Sequence, residues 1–130
     1  MVSKLRANLL VRDFVGHMSW YITIRSDPSY RRTVDATRIT AFLRTQPELI
    51  QTGVNTFAAA PGHPWVSVTL AMSNDGSYAD RGVPLEAVNL VDMVCSYEHA
   101  ERWYDALASR IAAFLEWEAL DEHAGRKVWR

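Results

Sequence analysis

The chain has 130 residues, room for one domain around one hydrophobic core, which excludes two independently folding units. Hydrophobic residues make up 48% and charged residues 22%, the balance of a globular protein rather than of a disordered chain or a coiled coil. Fourteen basic against fifteen acidic side chains give a formal charge of -1, without the broad positive footprint of a nucleic-acid binder, and the single Cys95 supplies neither an internal disulfide nor a cysteine-based zinc site.

Lys4, Arg6 and Leu9-Leu10-Val11 open the chain, but Arg12 and Asp13 interrupt the apolar run before it reaches the ~7–15 residues of a secretion signal. No stretch approaches the ~18 apolar residues of a membrane span, so the chain reads as cytoplasmic and free of membrane contact. Met18 directly precedes the first regular strand. The expectation is an N-terminal extension over 1–17, outside the core of a single domain over 18–130.

Trp20, Ile22 and Ile24 alternate with Tyr21, Thr23 and Arg25 in the period of a half-buried strand, and Asp27-Pro28-Ser29 ends it in a turn. A helix over about 36–46 follows, with Asp35 as N-cap, Val34 and Ile39 as a hydrophobic staple, and Pro47 as its stop. A second strand is expected between Gln51 and Ala59, anchored by Val54 and Phe57. The Pro61-Gly62-His63-Pro64 turn then leads into a third at 65–72, which directs Val66, Val68, Leu70 and Met72 to one side.

Residues 73–87 lack any periodic pattern. They are followed by a strand over 88–95, with Val91, Met93 and Cys95 on one face and Leu90, Asp92 and Val94 on the other. The clearest helix runs over 97–116 with Ser96 as cap, burying Trp103, Tyr104, Leu107, Ile111 and Leu115 at helical spacing. Segments 117–120 and 127–129 then flank His123-Ala124-Gly125 as a short hairpin. The order is β-α-β-β-β-α followed by that hairpin. This predicts an α+β two-layer sandwich, a mostly antiparallel sheet of four or more strands with two helices on one face.

No pair of the four histidines stands three or four positions apart on a helix, and Gly76 and Gly82 lack the lysine, hydroxyl and helix start of a phosphate loop, so neither a metal nor a nucleotide cofactor is expected. No serine sits in a nucleophile elbow, and Cys95 falls on a core-facing strand position. Asp92 could serve as a general base near Arg25 and Tyr21, or simply face solvent. The five tryptophans and five tyrosines are a heavy aromatic load. Trp20, Trp65 and Trp103 fit the core pattern, whereas Tyr78, Trp117 and Trp129 fit contact with a partner. Loops longer than ~12 residues are uncommon unless functional or disordered. This points to 73–87 as the partner surface, with Asp75, Tyr78, Asp80, Arg81 and Glu86 as its contact residues.

The strand Ser19-Trp20-Tyr21-Ile22-Thr23-Ile24-Arg25, the segment Trp65-Val66-Ser67-Val68 and the closing segment from Trp103 to Glu118 together resemble the small cytosolic immunity proteins of bacterial polymorphic toxin and type VI secretion effector systems. The resemblance implies a compact, non-enzymatic α+β domain that binds one cognate toxin and occludes its active site. It brings no contact residues with it, because such families differ at the binding surface. The alternative is a small ferredoxin-like enzyme or ligand-binding module acting as a dimer.

Overall fold

The computed structural model describes residues 19–130, and the expected extension over 1–17 lies outside them. The strands are β1 (Ser19–Arg25), β2 (Val34–Asp35), β3 (Leu49–Gln51), β4 (Thr56–Ala59), β5 (Val66–Ala71), β6 (Ala87–Val88), β7 (Leu90–Ser96), β8 (Glu118–Asp121) and β9 (Arg126–Trp129). Helix α1 spans Ala36–Arg44 and α2 spans Glu101–Leu115. Seven strands form one antiparallel sheet in the order β3-β4-β5-β7-β1-β8-β9, and β2 pairs with β6 in a separate two-stranded ribbon. The architecture is α+β, with both described helices on one face.

The alternation expected of β1, β5 and β7 is realised in the register. Ile22 lies opposite Met93 and Met93 opposite Val68, so successive apolar side chains of three neighbouring strands meet on the helix side. Helix α2 lays Tyr104, Leu107, Ala108, Ile111 and Leu115 on this layer, and α1 adds Ile39 and Leu43. The helices touch each other through the stacked Phe42 and Phe114 rings, 4.1 Å between centroids. Strand β7 occupies the middle of the sheet. The terminal hairpin is not a separate pair, because β8 joins β1 through Ile22–Asp121 to Arg25–Glu118 and so extends the main sheet.

Local departures from the sequence reading have local causes. Asp35 makes no side-chain cap, because its backbone is committed to β2 opposite Ala87, and the Ala36 N–H is instead satisfied by the Glu86 carbonyl at 2.9 Å. The single strand expected over 51–59 is two, folded at 52–55. Val54 therefore sits exposed in the turn while Phe57 alone enters the core. Met72 lies past the end of β5 and turns outward. Helix α2 starts at Glu101 rather than Tyr97, because the Ser96 hydroxyl accepts the Glu98 N–H in a tight turn that leaves 97–100 outside the helix. Trp117 is core rather than contact surface. Glu116 takes a left-handed conformation (φ 60°), and the Trp117 N–H bonds back to the Ala112 carbonyl at 3.0 Å, which brings the indole beneath the helix.

The face turned away from the helices is not a solvated one. Tyr21, Thr23, Asp92 and Val94 are all buried there, and Tyr30 packs with Ala71, Leu90 and the partly buried Tyr78 as a second apolar cluster.

Because Ile111 is fully buried between α2 and the sheet, Ile111→Ala should cost ~2–5 kcal/mol through lost burial and the cavity left behind, whereas the exposed Arg102→Ala should stay within ~0.5 kcal/mol. Urea unfolding of the two variants checks this, and equal small effects would contradict the packing described.

Candidate functional site

Residues 72–86 contain no helix or strand, yet their backbone is tightly held. Buried Asn89 accepts the Ser73 N–H (2.8 Å) and donates to the carbonyls of Ser73 (2.6 Å) and Tyr30 (3.2 Å), so one side chain joins two loops to the start of β7. The Ser73 hydroxyl donates to the Ser77 carbonyl at 2.7 Å and accepts the Gly76 N–H at 2.8 Å, closing a tight turn. Gly76 has φ +92° and lies against Tyr30, whose hydroxyl would stand 2.7 Å from any Cβ added there, so only glycine fits. The Asp75 carboxylate accepts the Ser77 N–H at 2.9 Å, and this bond holds its pKa below the usual range.

The chain then crosses the sheet. The Tyr78 hydroxyl donates to Asp92 Oδ2 at 2.6 Å, and burial, reinforced by that carboxylate, keeps the phenol protonated well above its ordinary range. Further on, Asp80 accepts Asn55 Nδ2 (3.2 Å) and the Gly82 N–H (3.1 Å), and the same Asn55 amide donates to the Val83 carbonyl at 2.8 Å.

Of the five expected contact residues, the fold brings Tyr78, Asp80 and Arg81 together around a cavity of about 320 Å³, where Met72, Val83 and Leu85 supply apolar wall. Asp75 lies apart, in a shallower hollow of about 280 Å³ with Asn74 and Ser77. Glu86 lies at the start of α1, its carbonyl committed to Ala36 and its side chain exposed. Tyr78 is therefore an anchor of the loop and not a free ring. Met72 (47%) and Val83 (61%) are exposed apolar side chains at this cavity that the expected contact set lacks. Met72 carries the strand period of 65–72 and so reads as a core position, and Val83 falls in a segment with no period.

The residues considered for catalysis have structural work. Asp92 is 1% exposed under Tyr78. Arg25 turns away from it to Glu118 (2.8 Å) and the Tyr30 hydroxyl (3.2 Å). Burial works to raise the Glu118 carboxyl, but hydrogen bonds from Arg25 and Lys127 prevail and hold it below its ordinary value. Cys95 is fully buried, and burial together with the Asp92, Asp121 and Asp105 carboxylates raises its thiol well above the reactive range. Among the described residues no cluster of three or more His, Cys, Asp or Glu side chains could hold a metal ion, and no helix is long and apolar enough to cross a membrane.

A second cavity, of about 340 Å³, lies between the start of α2 and the β8–β9 turn, lined by Trp20, Tyr97, His99, Glu101, Asp121 and His123. The expected helix start at Tyr97 hid it, and no cap residue marks the true start, because Ser96 is a good cap by type and Ala100 a poor one. Comparison with protein families, with characterised proteins and with solved structures finds no match to this chain.

Removing the phenol hydroxyl while keeping the ring isolates the anchor. Tyr78→Phe should lower unfolding free energy by ~1.5–3 kcal/mol, the range for a hydrogen bond to a charged group. Chemical denaturation measures it, and a loss under ~0.5 kcal/mol would mean that the Asp92 contact does not hold the loop.

Proposed function

We propose that this chain is an immunity-type binding protein that acts in the cytoplasm and neutralises a cognate bacterial toxin by occluding its active site. The observation that supports the reading is the 72–86 segment: a loop fixed from beneath by Asn89, Asp92 and Asn55 that still presents charged and apolar side chains outward. Ordering a loop on binding costs free energy, and a loop already ordered by its own fold avoids much of that cost. Asp75 and Glu86 offer carboxylates suited to a cleft built for an anionic substrate, and Arg81 offers a cation with no ion pair among the described residues. Met72 and Val83 supply the apolar contact that such an interface needs at its centre.

The test has two stages. The full chain, used as bait in the source cell, should retain a toxin whose enzymatic activity falls when the purified chain is added. A retained protein whose activity is unaffected would overturn the function. Asp75→Ala, Arg81→Ala and Glu86→Ala are then compared by calorimetric titration. At least one should weaken binding more than tenfold, ~1.4 kcal/mol, with the thermal midpoint unchanged. Unaltered affinity in all three would remove the loop from the interface.

A further inference from the structure

The cavity beside the start of α2 is built differently from the loop site. Its aromatic wall is continuous: the Trp20 and Tyr97 ring centroids are 4.7 Å apart, and the His123 ring meets Tyr97 edge-on at 5.7 Å. Trp20 is buried and Tyr97 is 43% exposed, so an outward-facing ring is braced against a fixed one. The His123 position is fixed as well, because Asp121 Oδ1 accepts the backbone N–H groups of His123 (3.0 Å) and Ala124 (3.2 Å).

The charge around this wall is unbalanced. Arg126 is shared by Glu101 (2.9 Å), Asp105 (3.3 Å) and Asp121 (3.4 Å), three carboxylates to one guanidinium. Lys127 does not help, since it pairs with Glu118. The Asp105 carboxyl registers the excess: burial first, then Glu101 and Asp121, raise its pKa above the ordinary value despite Arg126. Glu101 Oε2 is the atom bonded to Arg126, and among the described residues no hydrogen bond takes up Oε1. The uncapped amide end of α2 favours negative charge, and Glu101 in its first turn already supplies it.

We propose that this cavity binds an organic cation, an ammonium or guanidinium group on a short aliphatic chain, seated against the Tyr97 and His123 rings with Glu101 and Asp121 as its counter-charges. Aromatic faces attract such cations, and adjacent carboxylates exclude anions of the same size. A volume of about 340 Å³ admits one side-chain-sized group. The ligand can be a free amine or a lysine or arginine side chain of another protein, and the chemistry at the wall is the same. The proposal does not depend on the immunity reading.

Nuclear magnetic resonance of the full chain tests it, following the Trp20 indole N–H and the Tyr97 and His123 ring signals during titration with n-butylguanidinium, n-butylammonium and, as the matched anion, pentanoate. The two cations should give saturable shifts at these three residues and pentanoate none. Tyr97→Ala and Glu101→Gln should each weaken the cations at least tenfold, the exposed Glu101→Gln with the thermal midpoint unchanged. Equal response to pentanoate, or cation affinity unchanged in both variants, would overturn the site. A heptapeptide carrying one central arginine separates the sources. Tighter binding than n-butylguanidinium assigns the site to a partner's side chain, equal or weaker binding assigns it to a free cation, and either result supports the site itself.

Discussion

A carboxylate sits at the centre of this sheet, and it cannot be left alone. Asp92 lies on β7, the middle strand of seven, opposite Thr23 on one side and Thr69 on the other, at 1% exposure. An ionised group in that position costs several kcal/mol unless donors are directed at it. Tyr78 supplies one from a segment that otherwise has no regular structure, and to do so the chain must fold back over the face that carries no helix. Asn89 fixes the approach by binding both the outgoing Ser73 and the neighbouring Tyr30 loop. The shape of 72–86 therefore follows from a polar requirement inside the sheet. What that loop shows to solvent is what the Tyr78 bond to Asp92 Oδ2 leaves facing outward.

Strands β1, β5 and β7 and helix α2 were legible in the sequence because each carries its own period, and the period alone determines which side chains enter the core. The parts that were not legible depend on partners distant in the chain. Val54 reads as a strand anchor until β3 and β4 fold against each other and place it in the turn. Trp117 follows a helix and precedes a hairpin, a position typical of exposed residues, but the left-handed Glu116 reverses the chain and buries it. Asp92 is the sharpest case. Alternation placed it correctly on the face away from the helices, but alternation carries no information about whether a tyrosine fourteen residues earlier will reach it.

The candidate sites divide in the same way. The choice of the long loop rested on composition and length, and the loop does collect Tyr78, Asp80 and Arg81 around one cavity. The loop also serves the fold, since Tyr78 and Asp80 both make internal hydrogen bonds. The aromatic cavity at Trp20, Tyr97 and His123 draws on β1, the α2 approach and the β8–β9 turn, three segments about a hundred residues apart at the extremes, and no local pattern joins them. It exists because β8 pairs with β1 and carries the terminal hairpin back to the first strand.

Both the covered sheet face and the candidate site depend on the loop being a fixed part of the fold. Amide hydrogen exchange measures this at single residues, and the Ser73 and Gly76 N–H groups, bonded to Asn89 and to the Ser73 hydroxyl, are the ones to follow. Protection of both amides within about tenfold of the β7 amides is the result predicted. Exchange of both at the rate of an unstructured peptide would contradict it.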